Sequence, residues 1–541
     1  PLTPPSPEPW APMSSVGGQI SIVRGDIRRL ACDAWCLPAD GQGRVEPSWV
    51  AWPEGAAATL AEPAAFPHWT REAARCRPLE GWPAALPEPW LLHVELDPQV
   101  PASWLIEAVL GFVSAAAARL RRGRPRYGAS TPLLAIPIGV AGIGAADAQR
   151  ASRMAGALAR ALLPELGAAA REAGVDIALV AHTDQSFAAL QAARSTPTTR
   201  GRAPSATPTR DGLEPAREAI ARRALVLVLG ESVAGRMGVP GWRQILERLS
   251  EGHGLSGSLR QGLGSLGEED HTRWLLRRLG GSSAMASAAA AGLSHAHHGL
   301  AHGLLAGIEP CLVVAHASDD LAEQALAAAG RRIVAIGDEG GPSDGIPFVR
   351  MAGSPRLPGS LVLARVDADW QRERESNLAA VAQVALPDQP HILVLGLESL
   401  PRLLRTLAAL EPALACRRHT GITILAEPGF ETSSALLPAA ARVLPLPVED
   451  RSDPARVARA QARLLDELGQ HAWQGRHCLD PSVRHLLEGG DLALARGVED
   501  MLTTIPERAR RGPAWTSLLR WLAAHGHPGR IESPPGGGQT P

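Results

Sequence analysis

The stretch ALVLVLGESVAGRMGVPGW, residues 224–242, has the residue order of a nucleotide-binding turn. An apolar strand runs into Gly230, and a Gly-Val-Pro-Gly-Trp segment then opens a helix. Glycine at such a turn lets the backbone come close to a ligand, and the first amides of the following helix attract anions. Two residues argue against a working cradle. Ser232 stands where a glycine or alanine is wanted for close approach. Glu231 brings a carboxylate beside it, and like charges ~4 Å apart repel by up to about 4 kcal/mol at an intermediate effective dielectric. His295, His297, His298 and His302 in SHAHHGLAH are the one histidine cluster. His298 and His302 are expected on one helix face at i, i+4, but with no Glu or Cys near them in sequence no metal is expected. GESVAG has the wrong spacing for a G-x-S-x-G nucleophile elbow.

Short apolar runs alternating with longer helical patterns must position these residues. In the first half the strand candidates are QISIVRGDI, DAWCLPA, WLLHVEL, PLLAIPIG and DIALVAH. In the second they are ALVLVLG, CLVVAHA, RRIVAIG, PFVRMAG, SLVLARV, HILVLGL and GITILAE. Near-continuous apolar strands with helices between them predict parallel sheets covered on both faces. The expected fold class is therefore α/β, with two three-layer α/β domains and a helical C-terminal appendage. The Pro/Thr-rich stretch at 195–211 reads as a linker. It separates a domain at 18–194 from one at 212–477, followed by a helical segment at 478–531; 1–17 and 532–541 are expected to be disordered. Pro164 is expected to break the helix AQRASRMAGALARALL. Ligands in open parallel sheets bind beyond the carboxyl ends of the strands. In the second half those ends carry GESVAG, HASDD, AGSP and GLESL.

These strand ends resemble, in order, the motifs of bacterial sirtuin-like domains that consume NAD in antiviral defence. GESVAGRMGVPGW is similar to the family's first motif and keeps Gly230, Gly238, Pro240 and Trp242. AHASDDLAEQAL is similar to the second and keeps Asp319, Asp320, Leu321 and Glu323. MAGSPRLPGSLVLARVDAD keeps Gly353 and Ser354, and LVLGLESL keeps Gly396. The resemblance spans roughly residues 212–475 and implies a Rossmann-type sheet. It makes Gly230, Ser232, Gly238, Pro240, Trp242, Asp319, Gly353 and Gly396 the cofactor-binding positions. The family uses an asparagine to hold the ribose and water, and a histidine as general base. Those positions are Ala317 and Ala352 here, and Pro401 replaces a further acid. Alanine neither donates, accepts nor titrates, and loss of a positioned base costs typically ~10²–10⁴-fold in rate. The resemblance thus implies a catalytically degenerate domain, a binding or scaffolding component of a defence-type system. The alternative is an active NAD glycohydrolase in which His316 serves as a shifted base oriented by Asp319.

The first half resembles a macrodomain, the fold that binds ADP-ribose, in ISIVRGDIRRLACDAWCLPAD and LLAIPIGVAGIGAAD. That resemblance implies that Asp26 meets the adenine amino group. It also implies that the backbone around Gly139, Gly142 and Gly144 cradles the diphosphate. Asp40 stands where many macrodomains have asparagine, which argues against ester hydrolysis. NAD or ADP-ribose is the expected ligand, without a metal.

Composition narrows the partners. With 45% apolar and 20% charged residues and a net charge of −1, neither nucleic acid nor an anionic membrane is an expected partner. A homo-oligomer or a defence-system protein is the expected protein contact. All 54 basic residues are arginine, which composition bias explains better than phosphate recognition. The six cysteines, Cys32, Cys36, Cys76, Cys311, Cys416 and Cys478, form no C-x-x-C pair. Reduced thiols in a cytoplasmic protein are expected. SWLIEAVLGFVSAAAARLRR contains Glu107 and is short of a full span, so it is read as a buried amphipathic helix.

Overall fold

A computed structural model describes residues 18–39, 76–79, 86–93, 102–121, 125–128, 131–138, 148–195, 212–235, 242–252, 268–293, 297–336, 345–361, 368–397, 399–418, 421–426, 436–446 and 453–474, with isolated residues between them. The protein is α/β, with two sheets among the described residues. The first is built from β1 (Ile20–Arg24), β2 (Ala34–Ala39), β3 (Cys76–Pro78), β4 (Glu88–His93), β5 (Leu133–Ile138) and β6 (Asp176–Ala181), in the order β1-β6-β5-β2-β4-β3. Its pairings are parallel except that of β3 with β4. The sheet is therefore mixed, where a parallel one was expected. The short strand CRP has no apolar run that would announce it. Residues of β2 and β6 are buried along their whole length, as befits strands covered on both faces.

The second sheet is wholly parallel. It contains β7 (Leu225–Leu229), β8 (Leu312–Ala315), β9 (Ile333–Ile336), β10 (Ile346–Arg350), β11 (His391–Leu395), β12 (Gly421–Ala426) and β13 (Ala441–Pro445), ordered β13-β12-β11-β7-β8-β10-β9. The chain leaves β7 towards β8 on one side and later returns to β11 on the other. Such a reversal opens a crevice at the carboxyl edge between the two central strands.

Among the described residues the longer helices are α1 (Ala102–Leu120), α2 (Ala148–Ala173), α3 (Asp184–Ser195), α4 (Glu214–Ala221), α5 (Trp242–Gly252), α6 (Glu268–Leu279), α7 (Ser282–Leu293), α8 (Leu300–Ala306), α9 (Leu321–Ala328), α10 (Ala368–Ala385), α11 (Leu400–Ala415) and α12 (Pro454–Gln474). Among the described residues no helix is long and apolar enough to cross a membrane. In α1, Ile106, Val109, Phe112 and Val113 are buried, as the amphipathic reading expects. α2 runs through Pro164 instead of ending there. Pro164 is on the solvent side, while Leu162, Leu163, Leu166 and Ala170 are buried. Packing of the neighbouring apolar residues outweighs the lost hydrogen bond.

Strand alternation sorts the second sheet's side chains onto two faces. Val226 and Val228 share one core with Leu378 and Ala382 of α10 and Leu403, Leu407 and Leu410 of α11. Leu225, Leu227 and Leu229 belong to another core, which continues through α4, α8 and α12 into the first sheet. The two halves are therefore not separately closed. α12, expected to complete the second half, packs instead across α3 and β1 as well. Its Asp466 accepts from Ile22 N at 3.1 Å, and from Arg194 Nη1 at 2.5 Å. β1 is an edge strand, and Asp466 satisfies one of its outward amides. Arg459 of α12 donates to Asp176 Oδ1 at 2.7 Å. Near β1, Ala31 N donates to His298 O at 2.9 Å and His298 N to Arg29 O at 2.8 Å. Composition marks the segment joining the halves but carries no sign of this return packing. The expected linker beyond Ser195, both termini, the strand SLVLARV beyond Leu361 and the helical segment 478–531 lie outside the described residues.

Candidate functional site

The ends of the four central strands of the second sheet are level. Leu229 pairs with both Leu395 and Ala315, and Ala315 with Arg350. Because all four strands are parallel, the residues that follow them emerge along one edge. Gly230, Ala317, Ala352, Gly353 and Gly396 all lie there, just beyond β7, β8, β10 and β11.

At the crevice the β7 and β11 turns are packed on one another. Gly230 N donates to Leu395 O at 2.8 Å, and Ser232 N to Gly396 O at 3.2 Å. A Cβ on Gly230 would sit 1.9 Å from Gly396 O. One on Gly396, whose φ is +68°, would sit 2.5 Å from Val233 Cγ2. The close approach that these glycines permit is thus realised between two stretches of the chain itself. Ser232 is buried, and its amide, which a phosphate cradle would aim outward, is used on a carbonyl. Among the described residues the helix directly after β7 covers Ser232–Gly235. Glu231 forms an ion pair with Arg402 of α11, so its carboxylate has a partner at the crevice rim.

His316 follows β8 and is buried. Its backbone N donates to Leu229 O at 2.7 Å. Its Nε2 lies 2.8 Å from Thr406 Oγ1 on α11, and Thr406 Oγ1 donates to Arg402 O at 3.0 Å. With its hydroxyl proton used in that way, Thr406 accepts from an Nε2–H. Burial, with Arg402 and Arg405 nearby, lowers the imidazole pKa to about 3. Asp319 does not orient His316. It accepts from Leu321 N at 3.0 Å, and burial raises its pKa to about 6. The neighbouring acids hold arginines: Asp320 accepts from Arg356 Nε at 2.7 Å, and Glu323 takes Nε and Nη2 of Arg350. Gly353 has φ +89°, and a Cβ there would lie 2.1 Å from Ser360 O. The turn it makes is closed by Ser354 N donating to Ser360 Oγ at 3.0 Å. Pro401 lies in the first turn of α11, where a missing amide costs nothing.

In the first half Asp26 follows β1. Its carboxylate accepts from Arg28 N at 3.0 Å, Arg28 Nε at 2.9 Å and Arg28 Nη2 at 2.7 Å. Burial works to raise its pKa, but the Arg28 hydrogen bonds and charge prevail and lower it. Gly139, Gly142, Gly144, Gly238, Pro240, Asp40, His295 and Cys478 lie outside the described residues, and Trp242 is the first residue of α5. The histidine cluster departs from its expected geometry. α8 begins only at Leu300, and His298 pairs as an extended residue with Leu30, so His298 and His302 do not share a helix face. Gly299 in an extended conformation starts the helix there. Burial lowers the pKa of His297 to about 4, His298 to about 3 and His302 to about 4. Cys32, Cys36 and Cys76 are buried free thiols; Cys311 is half-buried and Cys416 exposed.

Sequence reading missed a group of arginines around Asp26. Arg24 and Arg29 flank the G-D-I turn, Arg356 comes from far along the chain, and all three line one cleft. The local sign was Arg24 directly before that turn and the pair Arg28–Arg29 directly after it; nothing in the sequence marked Arg356. No protein-family model and no curated protein matches the chain.

Proposed function

We propose that this protein binds a nucleotide of the NAD or ADP-ribose class without cleaving it, as a binding or scaffolding component, with a macrodomain-like first half and a sirtuin-like second half. The parallel sheet with its reversal between β7 and β11 supports the Rossmann-type reading of the second half. One observation carries the non-catalytic part. The edge positions that the sirtuin-like resemblance gives to asparagine and histidine hold Ala317 and Ala352, and the neighbouring imidazole, His316, is buried against Thr406. A base whose pKa is near 3 takes up little proton at neutral pH.

Incubation of the purified chain with NAD, followed by chromatography for nicotinamide, tests the activity. Calorimetric titration with NAD and with ADP-ribose tests binding. Saturable binding of at least one of them with no nicotinamide released is the expected result. Nicotinamide release abolished by His316→Ala would establish the active glycohydrolase instead. Absence of binding by both ligands would overturn the nucleotide reading.

A further inference from the structure

A cleft of about 780 Å³ opens where the two halves meet. One wall comes from the carboxyl ends of β1 and β6, with Arg24, Asp26, Arg29 and His182. The other comes from α9 and the turns around it, with Asp320, Gln324, Gly330 and Arg356. Its volume lies within the range of small-molecule sites, ~300–1,000 Å³.

The charges in this cleft do not cancel locally. Asp26 is engaged by Arg28, and Asp320 by Nε of Arg356. Arg24 is 8% exposed and donates to the carbonyls of Ala181 and His182. Arg29 is half-buried, and its guanidinium has no hydrogen bond or ion pair among the described residues. Its backbone is fixed across the junction by His298 N donating to Arg29 O. Arg356 offers two further nitrogens. Only its Nε is used on Asp320, its side chain is 60% exposed, and its backbone N is held by Ser354 Oγ at 3.2 Å. Two guanidinium groups, each anchored at its backbone and each with unused N–H donors, thus face one cleft from opposite halves. Guanidinium donors fit phosphate oxygens two at a time, and such charge-assisted bonds are about twice as strong as neutral ones.

The geometry points to this cleft as a binding site for a phosphate- or diphosphate-bearing small molecule, held between Arg29 of the first half and Arg356 of the second. The cleft is separate from the β7–β11 crevice, but Asp26 lines it, so the inference rests on the nucleotide reading of the first half and deepens it by naming the groups that hold the phosphate. The phosphate can arrive as a free anion or on a nucleotide; in either case the same two arginines hold it.

Titration calorimetry on the full chain with inorganic pyrophosphate tests the proposal, with ADP-ribose and adenosine as parallel arms. Arg29→Gln and Arg356→Gln are the variants, and Arg273→Gln on α6 is the control. Arg356 is on the surface, so its variant stays folded even if Arg29→Gln does not. Pyrophosphate is expected to bind saturably, with at least a tenfold loss in each cleft variant, none in Arg273→Gln, and no binding of adenosine. If ADP-ribose alone binds and both cleft variants weaken it tenfold, the anion is the diphosphate of a nucleotide and the site stands. The proposal is overturned if neither phosphate compound binds at millimolar concentration, or if binding is the same in Arg356→Gln as in the unmodified protein. Failure of NAD to bind leaves the pyrophosphate arm unaffected, so the two readings fail separately.

Discussion

Gly230 and Gly396 meet backbone to backbone across the β7–β11 crevice, so that a Cβ on the first would lie 1.9 Å from the carbonyl oxygen of the second. Neither atom belongs to a flexible side chain, so the strain of a substitution must be taken up by the sheet edge. Gly230→Ala is expected to lower the unfolding free energy by about 3 kcal/mol, the upper part of the range for overpacking. Gly252→Ala, at the exposed end of α5 with nothing near the added Cβ, is expected to change it by less than about 1 kcal/mol. Thermal unfolding of the two variants checks this; equal midpoints would show that the turns are not in contact.

Asp466 ties α12 to the edge of the first sheet. Asp466→Ala leaves the half-buried Arg194 without its carboxylate and Ile22 N without its acceptor, and a loss of about 3 kcal/mol, the lower end for breaking a buried pair, is expected. Asp466→Asn keeps an acceptor for Ile22 N and is expected to lose less. Urea unfolding followed by circular dichroism measures both. If Asp466→Ala costs no more than a surface substitution, the halves are not joined through α12.

Thr406→Val removes the hydroxyl from His316 Nε2. A loss of about 1–3 kcal/mol is expected for the buried nitrogen left without a partner. No nicotinamide release from NAD is expected to accompany it, because the freed imidazole stays buried and no aspartate orients it. Release of nicotinamide by this variant would show that Thr406 was suppressing a working base.

Four buried histidines contribute to the pH dependence. His297, His298, His302 and His316 have pKa values lowered to about 4, 3, 4 and 3 by burial. In the unfolded chain each titrates near the ordinary value, ~6.5. Between about pH 4 and 6.5 the unfolded state therefore binds more protons at these sites, and their contribution to stability falls as the pH is lowered through that window. Asp33 and Asp319, raised to about 6 by burial, act in the opposite sense between about pH 4 and 6. Asp176 and Asp466, also raised by burial, add to the carboxyl side, and His271, lowered by burial, to the imidazole side, so the loss on acidification is expected where the imidazoles alone titrate, between about pH 6 and 7. His302→Gln should remove one proton from the difference. This flattens the slope of unfolding free energy against pH by about 1.4 kcal/mol per pH unit near pH 5. Urea titrations between pH 4.5 and 7 give that slope, and an unchanged slope would mean that His302 is hydrated in the folded state.

The sequence by itself determined most of the elements. Near-continuous apolar runs between turn residues marked β1, β2 and β4–β12, because a strand covered on both faces has no polar side to show. It also determined what cannot happen at Ala317 and Ala352, since a missing functional group is legible without coordinates. Only the tertiary structure decided the rest. The strand CRP and the edge strand β13 gain their identity from pairing and carry no periodicity of their own. Pro164 passes through α2 because burial on either side of it prevails over its local preference. His316 finds Thr406 ninety residues away in sequence. Arg29 and Arg356 face one cleft because α8 and α12 pack against β1 and bring the second half beside the end of that strand. Each of these outcomes depends on long-range contacts, whose energies are settled by which surfaces close on each other and not by the spacing of residues along the chain.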